Sequence, residues 1–183
     1  MLDLEKEYKA LIDACAKEKR DHAIENGHSK HAAYLLTKFF ETAITKVNIY
    51  SGALSNEVFG DSDLQATALD FIGRENTKLT IVVETDVRED EPINKFVEFL
   101  SKSDKKNIDI RLFNISEKKG INHFAVMDES GYRFEIDEKK MKAIANFGDK
   151  KMTDKLYKIF DYLCKNSESI FSQDLVLQGE LAY

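Results

Sequence analysis

The side chains best suited to chemistry in this chain gather between positions 122 and 137, where His123, Arg133, Glu135 and Asp137 bring an imidazole, a guanidinium and two carboxylates into one short stretch. Histidine changes charge near neutral pH and serves as acid, base or nucleophile. The arginine fork matches two oxygens of a phosphate or carboxylate at once. A carboxylate beside the imidazole fixes its tautomer and raises its basicity. His123, Glu135 and Asp137 therefore form the candidate catalytic set, and Arg133 the group that holds an anion. On a solvated sheet face the same four residues would make nothing more than cross-strand ion pairs.

A hairpin has to position them. Asn122 to Asp128 and Tyr132 to Asp137 read as two strands joined by Glu129-Ser130-Gly131. A three-residue loop with Gly131 in the left-handed conformation pairs Asp128 with Tyr132, Val126 with Phe134 and Phe124 with Ile136. The side-chain period of two then gives Phe124, Val126, Phe134 and Ile136 to a core face. His123, Ala125, Met127, Arg133, Glu135 and Asp137 share the other, with His123 across from Asp137 and diagonal to Glu135.

Upstream, the periodicity predicts a helix over Leu2 to Ile24, a break at Asn26-Gly27-His28-Ser29, and a second helix over Ser29 to Thr45. Helix and strand then alternate: strand Val47 to Ser51, helix Asp63 to Ile72, strand Leu79 to Glu84, helix Pro92 to Leu100, strand Ile108 to Phe113. Alternation at this spacing predicts right-handed crossovers, a mixed but mostly parallel sheet ending in the hairpin, and helices on both faces. Helices are expected over Glu138 to Asn146 and Lys151 to Lys165. In the tail, residues 166–183, Leu175-Val176-Leu177 would form an edge strand or a partner contact. The expected organisation is one α/β domain over residues 1–183, with residues 1–27 as its N-terminal helix.

The strand ends offer further ligand-binding candidates. Ser51 and Gly52 lie where open α/β sheets place ligands. Glu84 and Asp86 would face the same rim, where two carboxylates suit a metal or, more simply, solvent. His31 opens a helix. No G-x-S-x-G, G-x-x-x-x-G-K-[ST] or G-x-G-x-x-G sequence is present, so a nucleotide held by those loops is excluded. Cys15 and Cys164 are read as reduced, half-buried thiols, and with four scattered histidines they lack the spacing of a zinc site. No metal or cofactor is expected. With 27 Lys and Arg against 33 Asp and Glu, the formal charge is −6, and the lysine runs at 102–106 and 139–155 are interleaved with acids. Bulk electrostatics therefore do not favour nucleic acid or an anionic membrane. No run approaches the ~20 apolar residues of a membrane span, and the first residues lack a signal-peptide pattern, so the expected location is cytoplasmic.

Ile121-Asn122-His123-Phe124-Ala125-Val126-Met127-Asp128, followed by Glu129-Ser130-Gly131, resembles the H-x-K-x-x-x-x-D strand and turn of the phospholipase D superfamily. The order of helices and strands from about 30 to 165 is similar to one half of that fold. Also similar are uncharacterised phospholipase D-like proteins of bacteria and mobile elements, through His31-Ala32, Tyr50-Ser51-Gly52 and Tyr132-Arg133-Phe134-Glu135. In the family the histidine is a nucleophile, the lysine holds the phosphate, and two motifs meet across a two-fold axis without metal. Counting back from Asp128, Ile121 stands in the nucleophile's place and His123 in the lysine's. The resemblance implies a degenerate phospholipase D-like protein, a non-catalytic binding or regulatory component for a phosphate-containing ligand or a protein partner. Arg133, Ser51, Gly52, Glu84, His31 and Asp128 form its ligand-binding set, and it would act as a homodimer or inside a larger complex. The alternatives are an active phosphodiesterase or nuclease in which His123 of two copies does the chemistry, and a pure interaction subunit.

Overall fold

The computed structural model describes residues 4–87, 94–101, 107–114, 116, 120–137 and 142–172. Its elements in chain order are α1 (Leu4–Glu18), β1 (Ile24–Asn26), α2 (Ser29–Thr42), β2 (Lys46–Ser51), α3 (Asn56–Phe59), α4 (Ser62–Ile72), β3 (Lys78–Val83), α5 (Lys95–Ser101), β4 (Ile108–Phe113), β5 (Phe124–Met127), β6 (Gly131–Asp137), β7 (Lys142–Asn146), α6 (Lys150–Lys165) and β8 (Ser167–Ser172). They build one eight-stranded sheet in the order β1-β7-β6-β5-β2-β3-β4-β8. Apolar residues at three- and four-residue steps make α2 a core helix, with Ala32, Leu35, Leu36, Phe39 and Phe40 buried. Fully burying each of those phenylalanines contributes about 1.5–3 kcal/mol. The side chain of Asp61 caps α4 and that of Asp149 caps α6, each accepting amide bonds from the first turn.

Helices cover both faces. α1 to α5 lie over one side, closing a core that includes Ile12, Phe39, Phe40, Phe71, Ile81 and Phe96. α6 covers the other side, where Leu156, Phe160 and Leu163 meet Tyr50, Val82, Phe124 and Val126. β3 is buried from Leu79 to Val83, as a strand sandwiched between helices must be.

The sheet is mostly antiparallel, which corrects the expectation of a mostly parallel one. Only the β2–β3 and β3–β4 pairs are parallel, while the other five pairs of described strands are antiparallel. Part of the difference lies at 142–146, expected to be helical and in fact β7. Its alternation decides the matter: Ala143 and Ala145 are buried on one face and Ile144 packs on the other. Another part is β1, which pairs with β7 where continuation of the first helix was expected. That helix stops at Glu18, and Lys19 adopts φ +49°. The chain then runs against Gly148, where a Cβ would lie 2.4 Å from the Lys19 carbonyl oxygen, so only glycine permits the approach. Helix α2 is shorter than expected, and a one-turn helix, α3, precedes α4. Pro92 and Leu175-Val176-Leu177 lie outside the described residues. The edge strand beside β4 is β8.

The hairpin forms with a different register. Met127 pairs with Gly131, Val126 with Tyr132, Ala125 with Arg133 and Phe124 with Phe134. The loop is Asp128-Glu129-Ser130, and Asp128, at φ +45°, takes the left-handed conformation expected of Gly131. Because the shift is two residues in the pairing, each side chain keeps its face. Ile136 is nonetheless 53% exposed and outside the core face assigned to it.

Asp128 was expected to bind ligand, and its contacts are structural. Its buried carboxylate accepts bonds from the Ile44 amide (2.8 Å), the Thr45 amide (2.9 Å) and hydroxyl (3.1 Å), and the Lys46 amide (3.2 Å). It thereby closes the α2–β2 turn onto the hairpin loop. Asp128→Ala leaves these donors unmatched and is expected to lower unfolding free energy by about 2–4 kcal/mol, with Asp128→Asn losing less. Urea denaturation of the three proteins checks this.

Candidate functional site

The parallel strands β2 and β3 end side by side at Ser51 and Val83, and the chain entering β5 passes the same rim. There a cavity of about 400 Å³ opens between the sheet and the helices α2 and α3. Ser51, Gly52, His123, Arg133 and Glu135 line its polar side, and Leu36, Val58 and Phe59 its apolar side. Gly52 leaves room for the ring: a Cβ there would stand 3.2 Å from Cε1 of His123, a tight contact that the imidazole would have to yield to.

The hairpin register sets the polar chain. The Glu135 amide donates to the His123 carbonyl at 2.9 Å, which places Glu135, where Asp137 was expected, directly across from the histidine. Oε2 of Glu135 is 3.4 Å from Nδ1 of His123, and Oε1 accepts from Nη1 of Arg133 at 2.9 Å. Nε of Arg133 donates to Oδ1 of Asn26 on β1 at 3.2 Å, and the arginine is buried. On the other side of the ring, Nε2 of His123 is 3.4 Å from Oε1 of Glu84, which also accepts the Tyr50 hydroxyl at 2.5 Å. The Tyr50 ring meets the imidazole edge to face at 5.4 Å. Asn122 donates to the Glu135 carbonyl at 2.8 Å and steadies the entry to β5.

Burial pushes the Glu135 carboxyl up, but the hydrogen bond with His123 and the charge and bond of Arg133 outweigh it and leave the pKa below the ordinary glutamate value. Burial pushes the thiols of Cys15 and Cys164 up, which makes neither a ready nucleophile. Cys15 is fully buried rather than half-buried.

Of the sequence candidates, His123, Glu135, Arg133, Ser51 and Gly52 line the cavity, and Glu84 contacts His123 from the end of β3. Three lie elsewhere. Asp137 follows the irregularity between Glu135 and Asp137, in register with Lys142 of β7, and is not among the lining residues. His31 stacks on Tyr8 and bonds Glu5, while its neighbour His28 reaches the cavity. Asp128 closes the far end of the hairpin. Sequence reasoning missed Tyr50, Asn26 and His28. Tyr50 carries a signal, since its hydroxyl sits one residue from the strand end that was singled out. Asn26 carries none without β1.

Ile121 and His123, two positions apart, do not share a face. Both precede β5, and Ile121 packs against the apolar core beneath α6 while His123 faces the cavity on the other side.

This is a phospholipase D-like fold. The archaeal chromatin protein TrmBL2, whose structure shows a novel mode of DNA binding, superposes with a TM-score of 0.60 at 12% identity, over 91% of this chain. The chain spans 62% of that protein's length. Nuc from Salmonella typhimurium, a phospholipase D family member, matches with a TM-score of 0.60 at 10% identity, over 82% of this chain and all of Nuc. NucT from Helicobacter pylori matches with a TM-score of 0.58 at 12% identity, over 81% of this chain and all of NucT. No protein-family model matches the sequence, and no curated protein sequence matches it. No described helix is long and apolar enough to cross a membrane.

A carboxyl whose folded pKa is depressed contributes stability that is full above its unfolded value, about 4.3, and that is lost as pH falls through the folded value. Glu135→Gln removes this contribution. The gap in unfolding free energy between wild type and variant is therefore expected to narrow as pH falls from 7 toward 3, measured by denaturation at each pH. Parallel curves would show that the carboxylate is not held by its neighbours.

Proposed function

We propose that this chain is a non-catalytic phospholipase D-like binding domain whose cavity receives a small phosphate-containing ligand without cleaving it. The observation that carries this reading is the exchange of places in the motif. Ile121 stands where the nucleophile belongs and is packed in apolar surroundings, whereas His123 stands where the lysine belongs, with a carboxylate facing each ring nitrogen. A nucleophilic imidazole needs one nitrogen aimed at phosphorus and one partner behind the ring. Glu84 occupies the side from which attack would come.

The charges indicate the kind of phosphate. Arg133 is engaged by Glu135, and Glu57 adds another carboxylate to the cavity wall. A phosphomonoester dianion would meet net repulsion. A phosphodiester, with one negative charge between apolar groups, suits the polar rim and the apolar side formed by Leu36, Val58 and Phe59. Its recognition rests on hydrogen bonds from Ser51, the Gly52 backbone and His123 more than on charge.

One observation favours the competing reading of an active phosphodiesterase or nuclease. The Glu135–His123 contact is the arrangement a general base requires, and in a homodimer two such rings would act together. Both readings are tested with bis(4-nitrophenyl) phosphate and a single-stranded oligonucleotide, in the presence of EDTA. The binding reading expects no product release, together with a thermal upshift caused by the diester and lost in His123→Ala. Release that falls at least ~100-fold in His123→Ala would replace it with the enzyme. Neither release nor upshift would leave a protein-interaction subunit.

A further inference from the structure

Away from the hairpin, the first turn of α2 and the start of α1 bring together two imidazoles and a carboxylate. One ligand atom from each of Glu5, His28 and His31 lies within 4.8 Å of the other two. The sequence separates Glu5 from the histidines and hides the cluster; the packing of α1 on α2 creates it. We infer that Glu5, His28 and His31 form a binding site for a divalent transition-metal ion of the zinc class, with water or a ligand completing the coordination. This inference is independent of the function proposed for the cavity.

The donor set is the one such ions select. Two imidazole nitrogens and one carboxylate oxygen, with a fourth position open, are a common zinc arrangement. A hard oxygen-seeking ion such as magnesium would not favour the histidines. The side chains are also held for the task. Nε2 of His31 is 3.0 Å from Oε2 of Glu5, and the ring is stacked on Tyr8 at a centroid distance of 3.8 Å. His28 occupies the N-cap position of α2, yet its side chain caps nothing and lies against His31 at 3.6 Å. Donors of a tetrahedral zinc ion lie about 3.3 Å apart, a consequence of bonds near 2.0–2.1 Å. The three donors lie within 4.8 Å of one another, and Glu5 and His28 are both exposed, which gives their side chains room to rotate toward that spacing. The positive end of α2 opposes a cation, and the Glu5 carboxylate offsets that term. Lys9, 3.6 Å from Oε1 of Glu5, is the competitor the ion must displace.

The site would do more than hold an ion. His28 also lines the cavity, so a metal there pins α1 to α2 and fixes one side of the cavity's rim.

The test uses the full-length chain with no affinity tag, freed of metal and titrated with Zn²⁺ by calorimetry. One equivalent is expected to bind in the micromolar range or tighter and to raise the thermal midpoint. His28→Ala and His31→Ala are each expected to weaken binding at least tenfold while circular dichroism stays unchanged. Co²⁺ gives a second readout that does not depend on stability: an intense four-coordinate visible spectrum without thiolate charge-transfer bands, abolished in either variant. Absence of binding overturns the inference. So does binding that survives in the double variant, or a cobalt spectrum with thiolate bands, since either would assign the ion to other residues. If the histidine variants fail to fold, Glu5→Gln, at an exposed position, must weaken binding for the site to stand.

Discussion

One carboxylate divides its two oxygens between an imidazole and a guanidinium, and the polar side of the cavity is organised around that division. Glu135 can do this only because its backbone amide bonds the carbonyl of His123, which fixes the two residues directly opposite one another. The register follows from the loop. Asp128 turns the chain with a left-handed backbone and uses its side chain to hold the α2–β2 turn, so the hairpin cannot slip relative to β2 without breaking a buried set of bonds. The site therefore depends on a residue at the opposite end of the hairpin.

What could be foreseen and what could not divide along the reach of each interaction. The faces of the hairpin were legible because parity survives a shift of two in the pairing. Which carboxylate faces His123 was not, since it depends on loop conformation, and Asp128 adopts a backbone that glycine would adopt more readily. The apolar run of β3 and the helical period of α2 were likewise plain in the sequence. The strand at 142–146 was hidden by its alanines. Alanine favours helices, but here it is the small residue on the face of β7 packed under the helical layer, and the tertiary context decides. Missing β7 also meant missing β1, whose one partner among the described strands is β7.

The position of His123 shows where the alternation of a strand stops being a guide. A resemblance by spacing assigns residues to roles, but direction is set where the strand begins. Residues 121–123 precede β5, so the alternation that holds within the strand does not carry back to Ile121. One residue goes into the apolar layer under α6 and the other into the cavity. The imidazole stands between two glutamates, so the local field around it favours a hydrogen-bonding ring over a bare cation-to-anion contact.

The N-terminal segment completes this arrangement from outside the hairpin. Asn26 on β1 takes one bond of Arg133, and without it the guanidinium would be a buried charge with fewer acceptors than its donors require. β1 reaches that place because Gly148 lets the chain leaving α1 pass closely, and the same path delivers His28 to the head of α2 beside the cavity. Arg133, His28 and the helices over the cavity are thus joined through a strand of three residues. The hairpin supplies polar side chains of the cavity, but the charge balance that holds them is finished by residues 24–28.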